Sequence, residues 1–181
     1  LAKEHPDFHM ENRCVLEGID PEKGTVQLPD GSVHNLLDTH FPTIDWEHPY
    51  ELSADEADVM ERLTAAFLNC EKLQRQVRFL FTKGSLYHVY NGNLLYHGCV
   101  PLDESGNFDG VVFGKRCYRG REYLDYAEHV ARRAWSKEAK EKDRDFMWYL
   151  WCGRRSPLFG RDRMTTFERY FLADQSTWVE N

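Results

Sequence analysis

Residues 92–101 read GNLLYHGCVP, an apolar run that ends in a histidine, followed at once by glycine and soon by proline. A neutral imidazole is a metal ligand, and a bound cation lowers the pKa of its water enough to make that water a nucleophile. The end of a strand suits such a ligand, because the sheet fixes its backbone. A glycine after it lets the chain turn sharply and lets a phosphate come close. His97 and Gly98 meet this description. A lone His-Gly pair more often marks a core histidine bonded to a carbonyl. His88 alternates with aromatics and reads as a hydrogen-bonded sheet residue, and His129 sits between charged neighbours on a helix and reads as exposed. His5, His9, His34, His40 and His48 fall in loops or at strand edges, with no ligand spacing among them.

The elements that must hold His97 can be read from period and punctuation. Around it, SLYHVYNGNLLYH (85–97) alternates on both sides of Asn91-Gly92, the dipeptide best suited to a two-residue hairpin turn. Upstream, Ser53 precedes Glu56 by three residues and predicts a capping box. Val59, Met60, Leu63, Ala66, Phe67, Cys70, Leu73, Val77 and Leu80 then recur at helical spacing toward Thr82, with a break near Glu71–Gln74 and a stop at Gly84. Residues 1–12 read as loop, 13–20 and 25–28 as strands separated by the turn PEKG, and PDGS (29–32) as a second turn, together a β-ribbon. The two prolines in 41–52 predict an extended connection.

Downstream, VVFGK (111–115) reads as a short strand and 121–135 as a helix with Leu124, Ala127, Val130, Ala131 and Ala134 on one side. The charge run 137–145 reads as a solvated face or linker. FMWYLWC (146–152) is apolar all round and reads as buried, 153–163 as loop and 164–173 as a last helix. The expected division is a ribbon and connection over 1–52 and a core of helices and strands over 53–181.

Composition bounds what this assembly can do. The 181 residues are 41% hydrophobic and 14% aromatic, which suits one domain or a large piece of a bigger one. Charges interrupt every apolar run, so no membrane span is expected. The net charge of −7 argues against nucleic acid and anionic membrane as partners. The five cysteines (Cys14, Cys70, Cys99, Cys117, Cys152) are odd in number and never spaced C-x-x-C, which fits reduced thiols in a cytoplasmic protein. The start, LAKEHPDFHM, has neither an initiator Met nor the form of a secretory signal, so Leu1 reads as a cut point.

NLLYHGCVP resembles the fourth block of the calcineurin-like metallophosphoesterases, in which a strand ends in His-Gly and the histidine ligates one ion of a dinuclear centre; His97 is the matching position, and Cys99 stands where a second glycine is usual. The resemblance reaches further. TKGSLYHVYNGNLLYHGCVPLDESGNF, YLWCGRRSPLFGRDRMTTFERYF, LLDTHFPTID and VMERLTAAFLNCEKLQRQ together look like the class III fructose-1,6-bisphosphatases of Firmicutes and relatives. That resemblance implies a mixed α/β (α+β) segment of a metallophosphoesterase-type β-sandwich flanked by helices, with an outlying ribbon. It implies hydrolysis of the 1-phosphate of fructose 1,6-bisphosphate to fructose 6-phosphate in gluconeogenesis, with two divalent ions, typically Mn2+, in the intact enzyme.

The other metal-binding blocks of that superfamily (D-x-H-G, G-D-x-x-D-R-G, G-N-H and a later G-H) are absent from the sequence. DTHF (38–41), DFH (7–9) and GNL (92–94) imitate them and lack the deciding residue. One imidazole cannot hold two hard ions that want about six ligands each. The chain therefore reads as an internal segment, inactive alone, whose flanking segments supply the remaining ligands. The resemblance also asks for a clamp on the phosphate that stays. Arg154, Arg155, Arg161, Arg163 and Arg169 crowd one stretch, and arginine forks match phosphate oxygens. Arg161 and Arg163, past the Gly160 turn, are the candidates; pairing with Asp162, Glu168 and Asp174 on a solvated loop is the plainer use. Two other functions stay open. One is a non-catalytic regulatory or scaffolding module that uses the ribbon and the long helix. The other, nucleic-acid binding through the arginines, is opposed by the overall charge. Self-association into a homo-oligomer is left open.

Overall fold

The computed structural model describes residues 1–161 and 163–179. The first half of the chain forms β1 (Ile19–Asp20), β2 (Thr25–Gln27), β3 (Val33–Asn35), α1 (Ala54–Asn69) and α2 (Glu71–Lys83). The second forms β4 (Tyr87–Tyr90), β5 (Asn93–Tyr96), β6 (Gly110–Phe113), β7 (Arg116–Arg119), α3 (Gly120–Trp135), α4 (Glu141–Cys152) and α5 (Thr166–Phe171). Among the described residues the architecture is mixed α and β: a three-stranded and two two-stranded sheets, all antiparallel, accompanied by helices. None of the described helices is long and apolar enough to cross a membrane.

By contacts the chain forms two compact units, Leu1–Cys14, Ser85–Thr166 and Ser176–Asn181 in one, Val15–Gly84 and Phe167–Gln175 in the other. The second of these holds the ribbon. Ile19, Val26 and Leu28 turn inward from it and pack with Leu172, and a bridge between Leu36 and Leu172 closes the sheet edge. Most of the expected strand 13–20 is not strand. Glu11–Arg13 and Leu16–Gly18 wind into short 3-10 turns, and only Ile19 and Asp20 pair with β2. Residues 41–52 are a chain of turns rather than an extended connection; backbone bonds Ile44 to Phe41, His48 to Asp45 and Glu51 to His48 fold each step back on itself.

α1 begins as the capping box predicts. The Ser53 hydroxyl accepts from the Glu56 N–H at 3.3 Å and the Glu56 carboxylate accepts from the Ser53 N–H at 2.8 Å. The break falls at Cys70, whose ψ of 99° is incompatible with helix. The apolar stripe meets no core: neither helix buries a residue, and Phe67 is 63% exposed.

The first unit carries the larger core. A turn at Pro6–Phe8 sets Phe8 and, two residues on, Met10 against Val111 and Phe113 of β6, Tyr123, Ala127 and Val130 of α3, and Phe146, Tyr149 and Leu150 of α4. The rings of Phe8, Phe113, Phe146 and Tyr149 meet at 5.1–6.2 Å, edge-on or tilted in every pair but Phe146–Tyr149, which stacks at 5.2 Å, and edge-on contact is favoured by the ring quadrupole. The strand expected at 111–115 is the first arm of a hairpin whose second arm, β7, carries no apolar alternation. The charge run is not a linker. Its second half is the first turns of α4, where Asp143 is buried and pairs with Arg133 of α3. The rest of α4 is not buried all round, since Trp151 is 77% exposed.

Candidate functional site

The hairpin that carries His97 is built by its turn. Asn91 and Gly92 both adopt left-handed backbone, φ 49° and 75°, as a tight two-residue turn between twisted strands requires. The register that follows pairs Tyr90 with Asn93, Val89 with Leu94, His88 with Leu95 and Tyr87 with Tyr96. The pairing ends there, with Leu86 and His97 the next residues on the two arms. Every residue of β5 is exposed, so the run that reads as buried from its composition is not buried here. His97 is also exposed, in the bend just past the strand.

Two anchors fix the ends of this hairpin. On one side, the Glu128 carboxylate of α3 accepts from the Leu86 N–H at 3.0 Å and from the Ser85 hydroxyl at 2.9 Å. Its other oxygen accepts from Nε and Nη2 of Arg132 at 3.1 and 2.8 Å. Burial pushes the Glu128 carboxyl up, but Arg132, the Leu86 N–H and the Ser85 hydroxyl together hold it below the usual carboxylate range. Tyr87 adds a tie to the same helix, its hydroxyl donating to Asp125 at 2.8 Å and accepting from Arg121 at 2.9 Å.

On the other side, the His-Gly-Cys turn docks on the arginine-rich loop. The Gly98 and Cys99 N–H groups both donate to the Pro157 carbonyl, at 3.0 and 3.3 Å, and the Cys99 thiol donates to the Ser156 carbonyl at 3.3 Å. Burial pushes that thiol's pKa up, so the sulfur serves packing and hydrogen bonding rather than nucleophilic attack. A β-carbon on Gly98 would stand 2.6 Å from the Pro157 carbonyl oxygen, and one on Gly160 would stand 3.2 Å from the Gly98 carbonyl carbon. Two glycines therefore let two stretches of backbone touch. His97 lies one residue from this contact on its strand and Arg161 one residue from it on the loop.

The loop is held from beneath by two buried tyrosines. Tyr123 donates to the Arg155 carbonyl and Tyr149 to the Arg154 carbonyl, each at 2.9 Å, and their hydroxyls lie 3.0 Å apart. Burial drives both phenol pKa values well above the usual range, so both stay protonated donors. The Ser156 hydroxyl donates to the Leu150 carbonyl at 2.7 Å and ties the loop to the end of α4. Arg155, in left-handed backbone, turns back to the Gly110 carbonyl and to Asp109. Arg163 donates to the Thr177 carbonyl at 2.7 Å. Arg154, Arg161 and Arg169 are exposed; Asp162 lies outside the described residues.

An exposed imidazole on a fixed bend fits one ligand of a metal centre. The described residues do not supply the others: none of their His, Cys, Asp and Glu side chains gather in groups of three or more that could hold an ion. His88 and His129 are exposed, and His88 stacks on Tyr90. Sequence reading passes over Glu128 and Tyr123. The visible trace of Glu128 is an acid four residues before Arg132 on a helix, a pattern that surface pairs share. Tyr123 lies one residue outside the aliphatic stripe.

A family model described as Firmicute fructose-1,6-bisphosphatase matches residues 1–181. A protein of Clostridium botulinum (strain Okra / Type B1), "Fructose-1,6-bisphosphatase class 3", is 48% identical over 184 residues, 99% of this chain and 27% of that protein. One of the same name from Clostridium novyi (strain NT) is also 48% identical, over 99% of this chain and 28% of its own length. The chain thus spans about a quarter of the length of these relatives. No solved structure matches.

Proposed function

Since the chain belongs to the Firmicute fructose-1,6-bisphosphatase family, we propose that it serves in a phosphoric monoester hydrolase that converts fructose 1,6-bisphosphate to fructose 6-phosphate and phosphate, in gluconeogenesis in the cytoplasm. The observation that carries the reading is the family match along the whole chain, with His97 at the one block of the metallophosphoesterase pattern that the sequence contains. When bound, a divalent pair, Mn2+ in this reading, supplies a nucleophilic water and neutralises phosphate oxygens. The part proposed for this chain is narrower. His97 presents one imidazole to that centre. The remaining ligands come from the portion of the relatives' length that this chain does not span.

The close backbone approach of Gly98 to Gly160 supports a shared role for the two stretches, with Arg161 and Arg163 as the proposed clamp on the uncleaved phosphate. The same reading makes the exposed hairpin part of a larger metallophosphoesterase-type sandwich and the β1–β3 ribbon an outlying element.

The test is phosphate release from fructose 1,6-bisphosphate with Mn2+ added. The full-length protein is expected to turn over, and His97→Ala to lose turnover and bound Mn2+ while its circular dichroism and thermal midpoint stay unchanged. Normal metal content in His97→Ala would remove the ligand assignment, and robust turnover by the 181 residues alone would remove the need for ligands from elsewhere. A non-catalytic interaction module is the second reading, favoured by the exposed apolar stripe of α1 and α2. It predicts no turnover in any context.

A further inference from the structure

We propose that Glu128 is a positioning residue for His97. The inference rests on the reading of His97 as a metal ligand and deepens it. Both strands of the hairpin are largely exposed, so no packed layer among the described residues orients it. Its direction is set where it is tied down. The Glu128 carboxylate grips the Leu86 N–H, on the residue before Tyr87, whose strand partner Tyr96 directly precedes His97. The Pro157 carbonyl grips the Gly98 N–H, on the residue after it. His97 is thus held between a point fixed on α3 and a point fixed on the loop, and Leu86 and Leu158 beside those points both pack against the core that contains α3 and α4.

The grip on Leu86 is itself prepared. Arg132 takes one oxygen of Glu128 with two N–H groups from one turn away on the same helix, which leaves the other oxygen aimed at Ser85 and Leu86. A carboxylate is a stronger acceptor for a backbone N–H than a neutral carbonyl. Arg132 lowers the rotational freedom of the Glu128 side chain that holds the hairpin, which is how a supporting group orients a metal ligand without touching the metal.

The experiment uses the full-length protein with Mn2+ alone as the probe. Wild type, Glu128→Ala, Glu128→Gln and His97→Ala are compared for Mn2+ affinity by calorimetry, for amide hydrogen exchange of segments containing Leu86 and Gly98, and for urea midpoint. Glu128→Ala is expected to weaken Mn2+ binding about tenfold or more and to speed exchange at Leu86 and Gly98, out of proportion to any change in midpoint. Glu128→Gln keeps an acceptor for the Leu86 N–H and should recover part of the affinity. Unchanged Mn2+ affinity in Glu128→Ala, beside a lost site in His97→Ala, would overturn the proposal and leave the ligand assignment standing. Unchanged affinity in His97→Ala would overturn the ligand assignment itself. If Glu128→Ala does not fold, Glu128→Gln decides by the same two readouts: wild-type affinity and wild-type exchange together refute the role.

Discussion

Gly98 is where the two candidate stretches meet, and its missing side chain is the reason they can. A methyl group there would overlap the Pro157 carbonyl oxygen at 2.6 Å and the Leu158 carbonyl carbon at 3.0 Å, both backbone atoms that cannot rotate away. Gly98→Ala is therefore expected to cost about 1–3 kcal/mol of stability and to turn the His97 bend off the loop. Urea denaturation checks the first effect and hydrogen exchange at Cys99 the second; a variant as stable as wild type would show that the loop gives way freely. At this scale the sequence was most legible where a residue type answers a local demand. Asn91-Gly92 names its own turn, because few residues tolerate two successive left-handed positions. Ser53 and Glu56 name a helix start for the same local reason. Glu128 escaped, because its partner lies 42 residues away and no spacing rule reaches that far.

Helices and strands were legible as elements and less so in what they face. α3 lies within one residue of its expected bounds, since its aliphatic stripe does meet a core. The first half of α4 is not legible in the sequence, because an ion pair stands where an apolar residue would keep the period. Arg133 of α3 bonds Asp143 of α4 through Nε at 3.2 Å and through Nη2. That guanidinium beside it holds the Asp143 carboxyl below its ordinary value, and Asp143 in turn raises Arg133. The folded carboxylate binds its proton less readily than the unfolded one. Its contribution is thus whole above the unfolded value of about 3.9 and is lost as pH falls from there through the lowered folded value. Arg133 is half exposed, so solvent screens the pair to about 1 kcal/mol. Wild type should be more stable than Asp143→Asn at pH 7 in urea titrations, and the gap should close toward pH 3. A constant gap would assign it to packing rather than charge.

For the molecule as a whole, exposed apolar surface is the dominant feature. Val59, Met60, Leu63, Phe67, Leu68, Phe79 and Leu80 are all exposed on α1 and α2, and Val89, Tyr90, Leu94, Leu95 and Tyr96 on the hairpin. Helical period predicted those helices correctly; it carries no information about what covers them. Surface of this kind is uncommon on a monomer. The 181-residue chain is expected to bind the dye ANS and to self-associate on gel filtration, and Leu63→Lys with Phe67→Lys to reduce both. Wild-type dye binding in that double variant would place the sticky surface elsewhere. The larger unit has a different consequence, because it is discontinuous in sequence. Phe8 and Met10 belong to a core whose other buried walls come from residues 111–152. A ribosome adding about 5–20 residues each second delivers Phe146 to Leu150 many seconds after Phe8, so Phe8 and Met10 emerge well ahead of these walls of their core, with the ribbon and both exposed helices made in between.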